Sequence, residues 1–183
     1  MRCSSGVAAL RVAPDASAEQ VSQLLPGEPV EVVVSEGEWT RVVTAYAYPG
    51  WVLADALEEG DGEVVADADG PPLEIARGFV GVPYLWGGMT EAGIDCSGLV
   101  HIAYRRSGRL VPRDARDQDA AARPVDEPVP GDLVSYGDPV DHVAFWLGAG
   151  AILHATGRGG VSRVVAEPEP EALRKRRRGF RRL

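Results

Sequence analysis

Cysteine is scarce in this chain of 183 residues, which contains only two, Cys3 and Cys96. Two cysteines are too few for the disulfide framework of a small secreted domain. No apolar run approaches the ~20 residues of a membrane span, and the N-terminus lacks the apolar run of about 7–15 residues found in signal peptides. We therefore expect a cytoplasmic protein, since thiols stay reduced in that compartment.

Positive charge is also scarce outside one short segment. Residues 1–170 hold 12 basic and 26 acidic residues, whereas seven basic residues fall within 174–183. An acidic body repels nucleic acid and anionic lipid, so we expect neither as a partner. The basic segment 174–178 could bind an anionic polymer, or it could be a solvated end that pairs with the acidic body.

The remaining composition, 45% hydrophobic and 25% charged residues, is that of a globular protein. Residues 1–58 contain short β-rich runs at 30–34, 39–43 and 51–52, separated by Pro and Gly turn signals, which predict a small β-barrel. The polar segment 59–72 is predicted to be a linker. Residues 73–183 read as helices followed by an antiparallel sheet, the order of an α+β domain. The predicted helices are 73–79, 95–106 and 114–122, and the predicted strands are 132–136, 142–147, 151–154 and 161–165.

Cys96 lies in the first turn of a predicted amphipathic helix. The N–H groups and the dipole at a helix N-terminus favour negative charge, so we expect a stabilised thiolate, which is a nucleophile. His142 and His154 fall on adjacent strands of a predicted hairpin, within reach of a diagonal contact. One imidazole can then act as the base and the other can orient it.

Less specific interpretations of these residues remain open. A lone buried cysteine is usually an inert small hydrophobe, and a lone histidine on a strand is usually structural. One Cys and two His could bind a metal, but that needs a fourth ligand and usually closer spacing. We expect neither a metal nor a cofactor. His101 lies off the apolar stripe of its helix and is expected to be solvated.

The surrounding motifs support the catalytic interpretation. They are Tyr84-Leu85-Trp86-Gly87-Gly88, Asp95-Cys96-Ser97-Gly98-Leu99, Pro112-Arg113-Asp114, Pro130-Gly131-Asp132-Leu133, His142-Val143 and His154-Ala155. In this order they resemble the NlpC-type family of bacterial cell-wall cysteine peptidases, which have a papain-like core. The resemblance covers roughly residues 73–183, and residues 1–58 resemble the bacterial SH3-like barrel that often precedes this domain.

The resemblance implies hydrolysis of murein peptides at the bond from γ-D-glutamate to a diamino acid. It assigns Cys96 as the nucleophile, His142 as the base and His154 as the orienting residue. In two-domain members the barrel closes one end of the cleft, and the substrate carries a free N-terminal L-Ala. The implied substrate contacts are Tyr84, Trp86, Asp95, Ser97, Asp114, Tyr48 and Glu19. The family often has Ser after the aspartate matching Asp114, but this chain has Ala115, which puts one substrate hydrogen bond in doubt.

The sequence thus favours a cytoplasmic cysteine endopeptidase that recycles murein peptides. One alternative is an exported hydrolase of intact peptidoglycan. Another is a non-catalytic wall-binding module in which the barrel is the working surface, although the intact Cys96, His142 and His154 argue against it.

Overall fold

Two units make up the computed structural model, which describes residues 1–4 and 6–183. Residues 1–65 and 86–88 form the first unit, and residues 66–85 and 89–183 form the second. Residues 59–71 form neither helix nor strand, and the predicted domain limits at 58 and 72 stay predictions. Within the described ranges, no helix combines the length and the apolar character needed to cross a membrane.

The first unit is built from short antiparallel strands. They are β1 (Arg2–Cys3), β2 (Ala8–Arg11), β3 (Gln20–Leu24), β4 (Val30–Glu36), β5 (Trp39–Thr44), β6 (Pro49–Leu53) and β7 (Leu57–Glu58). Five form a sheet in the order β3-β2-β6-β5-β4, and β1 pairs with β7. Leu10, Leu24, Val42 and Val52 fill its core. The predicted strand runs are present, each as part of a longer strand.

The Pro49-Gly50 pair suggested a turn before the strand at 51–52. In the structure Gly50 lies within β6 instead. A Cβ atom at Gly50 would come within 2.4 Å of Leu10 Cγ. The glycine therefore lets the core side chain of Leu10 pack directly against the β6 backbone.

The second unit combines helices with a larger sheet. Its elements are α1 (Pro72–Arg77), β8 (Met89–Thr90), β9 (Gly93–Ile94), α2 (Cys96–Arg106), α3 (Ala115–Ala121), β10 (Arg123–Val125), β11 (Leu133–Gly137), β12 (Val140–Gly148), β13 (Ala151–Thr156), β14 (Arg163–Pro168), α4 (Glu171–Arg174) and β15 (Arg177–Arg182). The six-stranded antiparallel sheet has the order β10-β15-β11-β12-β13-β14. This arrangement confirms the α+β class, and the predicted helices are found within one or two residues of their expected ends.

Helix α2 begins at Cys96 because Asp95 caps it. The backbone at Asp95 is extended, and its side chain accepts a hydrogen bond from the N–H of Gly98 at 2.6 Å. The helix is buried along almost its whole length, and Tyr104 stacks on Phe145 of β12 with the ring centroids 6.3 Å apart. The cap and this packing fix the first turn of α2, which carries Cys96, relative to the sheet.

Strand β15 was not predicted, since the sequence analysis described its residues only as a basic end. It pairs with β10 on one side and β11 on the other. Its arginines face acidic partners: Arg181 Nε lies 2.7 Å from Asp119 Oδ1, and Arg182 Nε lies 2.5 Å from Asp132 Oδ1. Within the basic segment 174–178, Arg176 Nη2 lies 2.6 Å from Asp141 Oδ2 and Arg178 Nε lies 3.4 Å from Asp119 Oδ2, so this segment also pairs with acidic residues.

Candidate active site

Cys96 is the first residue of α2 and is 7% exposed. Burial, together with the adjacent Asp95 carboxylate, raises the pKa of its thiol to about 12, although Arg113 and backbone N–H groups act in the opposite direction. The expectation of a stabilised thiolate is therefore wrong: desolvation and a neighbouring negative charge outweigh the helix N-terminus. The direction of this shift favours the neutral thiol at rest.

The Cys96 sulfur lies against the beginning of β12. The backbone N–H of Val143 is within hydrogen-bonding reach of the sulfur and lowers its pKa, as does the N–H of Ser97. Val143 directly follows His142 in the strand. The fold thus brings the Cys96 sulfur to the backbone beside His142.

His142 and His154 meet across the β12–β13 hairpin, as the sequence predicted. Phe145 pairs with Leu153, so the two histidines are offset diagonally, and His142 Nε2 lies 2.8 Å from His154 Nδ1. Both are nearly inaccessible to solvent. Burial, followed by the neighbouring His154 and by Arg158, lowers the pKa of His142 to about 3. His142 is therefore neutral near pH 7 and can accept a proton.

Glu167, on β14, extends this pair into a chain of three side chains. Its Oε1 lies 2.9 Å from His154 Nε2. Burial lowers the pKa of His154, and the hydrogen bond and charge of Glu167 act in the opposite direction. Glu167 was not predicted as a site residue. The period-2 pattern of β14 was the available signal, but using it required the β13–β14 register.

Arg113 holds both residues that flank Cys96, and it too received no role in the sequence analysis. It is 1% exposed. Its Nη2 donates to Asp95 Oδ2 at 2.8 Å, and its Nη1 donates to Asp95 Oδ1 at 3.0 Å and to Ser97 Oγ at 2.9 Å. In this structure Asp95 and Ser97 position the first turn of α2, while their expected role as substrate contacts stays a prediction.

Gln118 of α3 supports the same turn. Its Nε2 donates to the carbonyl of Ser97 at 2.9 Å and to that of Pro112 at 2.8 Å. Asp114, a predicted substrate contact, occupies the N-cap position of α3 and is half-buried. The segment from Pro112 to Gln118 therefore braces the helix start that carries the nucleophile.

The other predicted substrate residues fall in both units. Tyr84 belongs to the second, where burial and then the neighbouring Cys96 and Asp95 raise the pKa of its phenol to about 12. Trp86, 57% exposed, belongs to the first unit, as do half-buried Tyr48 and exposed Glu19. The structure thus brings Tyr84, Asp95 and Ser97 to Cys96, and the substrate roles of all these residues stay predictions.

His101 is not solvated, contrary to expectation. It is fully buried in α2, with Nδ1 2.8 Å from the carbonyl oxygen of Val111.

Among residues 1–4 and 6–183, no group of three or more His, Cys, Asp or Glu side chains is arranged to hold a metal ion.

Comparison with known proteins identifies the family. The sequence model described as "NlpC/P60 family" matches residues 81–182. The chain belongs to the NlpC/P60 family. A second model, "Bacterial SH3 domain", matches residues 5–58. These matches confirm the resemblance on which the expected papain-like domain and the preceding SH3-like domain rested.

Three relatives of this NlpC/P60 protein are informative. Gamma-D-glutamyl-L-lysine dipeptidyl-peptidase of Bacillus subtilis (strain 168) is 26% identical over 73% of this chain and 71% of that protein. Peptidoglycan endopeptidase RipB of Mycobacterium tuberculosis (strain CDC 1551 / Oshkosh) is 38% identical over 55% of this chain and 47% of that protein. The crystal structure of an NlpC/P60 family protein from Bacillus cereus ATCC 10987 has a TM-score of 0.58 and 22% identity, covering 99% of this chain and 62% of that one. This structural likeness shows the fold.

Proposed function

We propose that this protein is a cysteine endopeptidase that cleaves the γ-D-glutamyl–diamino acid bond of murein peptides with a free N-terminal L-Ala. The observation that carries the proposal is the arrangement of Cys96 beside β12 with His142 and His154 in contact at 2.8 Å. The likeness to the Bacillus subtilis γ-D-glutamyl-L-lysine peptidase supports the substrate class. A role in peptide recycling in the cytoplasm is part of the proposal.

The reaction begins with Cys96 as a neutral thiol and His142 as a neutral imidazole. The Cys96 sulfur attacks the γ-carbonyl carbon of D-glutamate while its proton passes to His142, which is the proposed base. Collapse of the tetrahedral intermediate breaks the C–N bond, and His142 returns the proton to the leaving amine. Water then hydrolyses the thioester, with His142 again taking a proton, and restores the thiol. Because both groups are neutral at rest, proton transfer accompanies the attack instead of preceding it.

The test is mass spectrometry of the products from L-Ala-γ-D-Glu-L-Lys and from the same peptide with diaminopimelate. We expect L-Ala-D-Glu, with a free γ-carboxylate, and the free diamino acid, and no detectable hydrolysis by Cys96→Ala. Cys3→Ala is the matched control, since Cys3 is buried in the first unit and should leave kcat unchanged. Equal hydrolysis by Cys96→Ala would contradict the assigned nucleophile.

Specificity for a free amine is tested with the N-acetylated peptide. Burying an unpaired ammonium is costly, so a site that binds one must supply polar partners that a neutral amide cannot replace. We expect acetylation to lower kcat/KM by about 10²-fold or more, in line with the loss of a hydrogen-bonded recognition group. Unchanged rates would contradict recognition of the free amine.

Hydrolysis of intact peptidoglycan is the second candidate. It is favoured by the 38% identity to the peptidoglycan endopeptidase RipB, of which this chain spans 47%. Clearing of a suspension of purified sacculi would support it. Under the recycling proposal the sacculi stay turbid while the short peptides are cleaved.

A further inference from the structure

We propose that Glu167 is a positioning residue that, through His154, fixes which nitrogen of His142 carries the proton. The inference rests on the proposed function, because it takes His142 as the base. It concerns a residue that hydrogen-bonds His154 and acts through it on His142.

The contact is built by strand register. Ile152 pairs with Glu167 and His154 pairs with Val165 across β13 and β14. Glu167 and His154 are therefore diagonal neighbours, the geometry in which long side chains meet across a sheet. The His154 side chain is 1% exposed, whereas that of Glu167 is 28% exposed. The carboxylate thus joins a buried imidazole to the protein surface.

The hydrogen-bonding capacities of the three groups leave one consistent arrangement. A carboxylate only accepts, so the 2.9 Å contact places a proton on His154 Nε2. A neutral imidazole with Nε2 protonated has a bare Nδ1, which accepts. The 2.8 Å contact from His154 Nδ1 then requires His142 Nε2 to be the donor. His142 Nδ1 is left with a free lone pair, as a base requires.

Without an acceptor at position 167, this order can reverse. His154 can then carry its proton on Nδ1 and donate to a bare His142 Nε2. The His142 proton would occupy Nδ1, and that nitrogen could no longer take a proton from a thiol. The carboxylate also stabilises the positive charge that the two imidazoles share during attack, against the opposing charge of Arg158.

Nitrogen-15 NMR of labelled histidine tests the inference directly. The chain has three histidines, and His101 is an internal reference because it bonds the Val111 carbonyl instead. In the wild type at pH 7 we expect protonated Nε2 and bare Nδ1 on both His142 and His154. In Glu167→Leu we expect His142 Nδ1 to become protonated in a large fraction of molecules while the His101 signals stay in place.

Kinetics provide the second readout. We expect Glu167→Leu to lower kcat by about 10²-fold, within the ~10²–10⁴-fold range of positioned acid–base catalysis, and to change KM less than about threefold. Glu167→Gln keeps a carbonyl acceptor, so it should retain the wild-type tautomers and a higher kcat than Glu167→Leu. Glu171→Gln, which removes an exposed carboxylate that pairs only with Lys175 among the ion pairs described, should match the wild type in both readouts.

Unchanged histidine tautomers in Glu167→Leu would overturn the inference, even if kcat fell. An unchanged kcat in that variant would also overturn it. Failure of the proposed function looks different: the wild type would not cleave the peptides, while the histidine signals would still respond to Glu167→Leu.

Discussion

At the scale of single residues, the ionisation state of Cys96 and His142 has a measurable consequence. Burial raises the thiol pKa to about 12 and lowers the imidazole pKa to about 3. Neither group changes charge between about pH 5 and pH 9, so we expect kcat/KM for the murein tripeptide to be flat across that range. An ordinary histidine base, with a pKa near 6.5, would lose activity tenfold per unit below about pH 6.

A pH–rate profile measures this, and the rate of iodoacetamide modification of Cys96 checks the thiol separately. We expect the modification rate to keep rising beyond about pH 9, since little thiolate is present below that pH. An acidic limb with a midpoint near pH 6–7, or fast alkylation at neutral pH, would contradict the neutral resting pair.

Sequence reasoning at this scale identified residue types but not their environment. Cys96, His142 and His154 could be chosen because their order and local motifs are informative. The thiol pKa could not be predicted, because it depends on how deeply the helix start is buried and on where Asp95 points. Arg113 and Glu167 were missed because their partners lie 18 and 13 residues away in the chain.

At the scale of elements, the start of α2 depends on the buried pair of Asp95 and Arg113. Removing one member leaves an uncompensated buried charge, which typically costs about 3–5 kcal/mol. We therefore expect Asp95→Ala to lower the free energy of unfolding of the second unit by about that amount, with loss of the N-cap included. Urea unfolding followed by circular dichroism measures it.

Two further variants make this test specific. In Asp95→Ala/Arg113→Met no buried charge is left alone, so we expect the double variant to lose less than the sum of the single losses. Arg106→Met is the matched control: it breaks a more exposed ion pair of the same helix and should cost about 1 kcal/mol or less. Additive losses would show that Asp95 and Arg113 do not act as a pair.

Element positions followed well from local signals where those signals were strong. The apolar stripe of α2 predicted its position, and turn signals separated β12 from β13. Strand β15 was not predicted because its arginines obscure the alternation of apolar and polar residues that is typical of a strand. Arg178, Arg181 and Arg182 pair there with Asp119 and Asp132, which lie far away in the chain, and only the folded sheet reveals these contacts.

At the scale of the whole molecule, the sheet of the second unit depends on its most C-terminal strand. Leu133, Val134, Ser135 and Tyr136 of β11 pair with β15. We expect a chain ending at Pro170, which lacks α4 and β15, to lose the cooperative thermal transition of the second unit. Circular dichroism and the dispersion of amide NMR signals measure this. Arg174→Gln/Lys175→Gln, which lowers the basic charge but keeps β15, should melt like the wild type.

A folded second unit in the shortened chain would contradict this dependence.

The two-unit division itself followed from composition, because the strand-rich region and the helix-then-strand region have different periodicities. The order of strands could not be derived, since sequence periodicity does not say which strands become neighbours.

The strand order also bears on how the protein is made. During synthesis β11 to β14 leave the ribosome before β15 does, so one side of β11 waits with unpaired backbone groups. In that interval the nascent sheet has an open edge with which strands of other chains can pair. Proteolytic cleavage at the start of β15 would expose the same edge of β11 in the folded protein. We expect the cleaved molecules to aggregate.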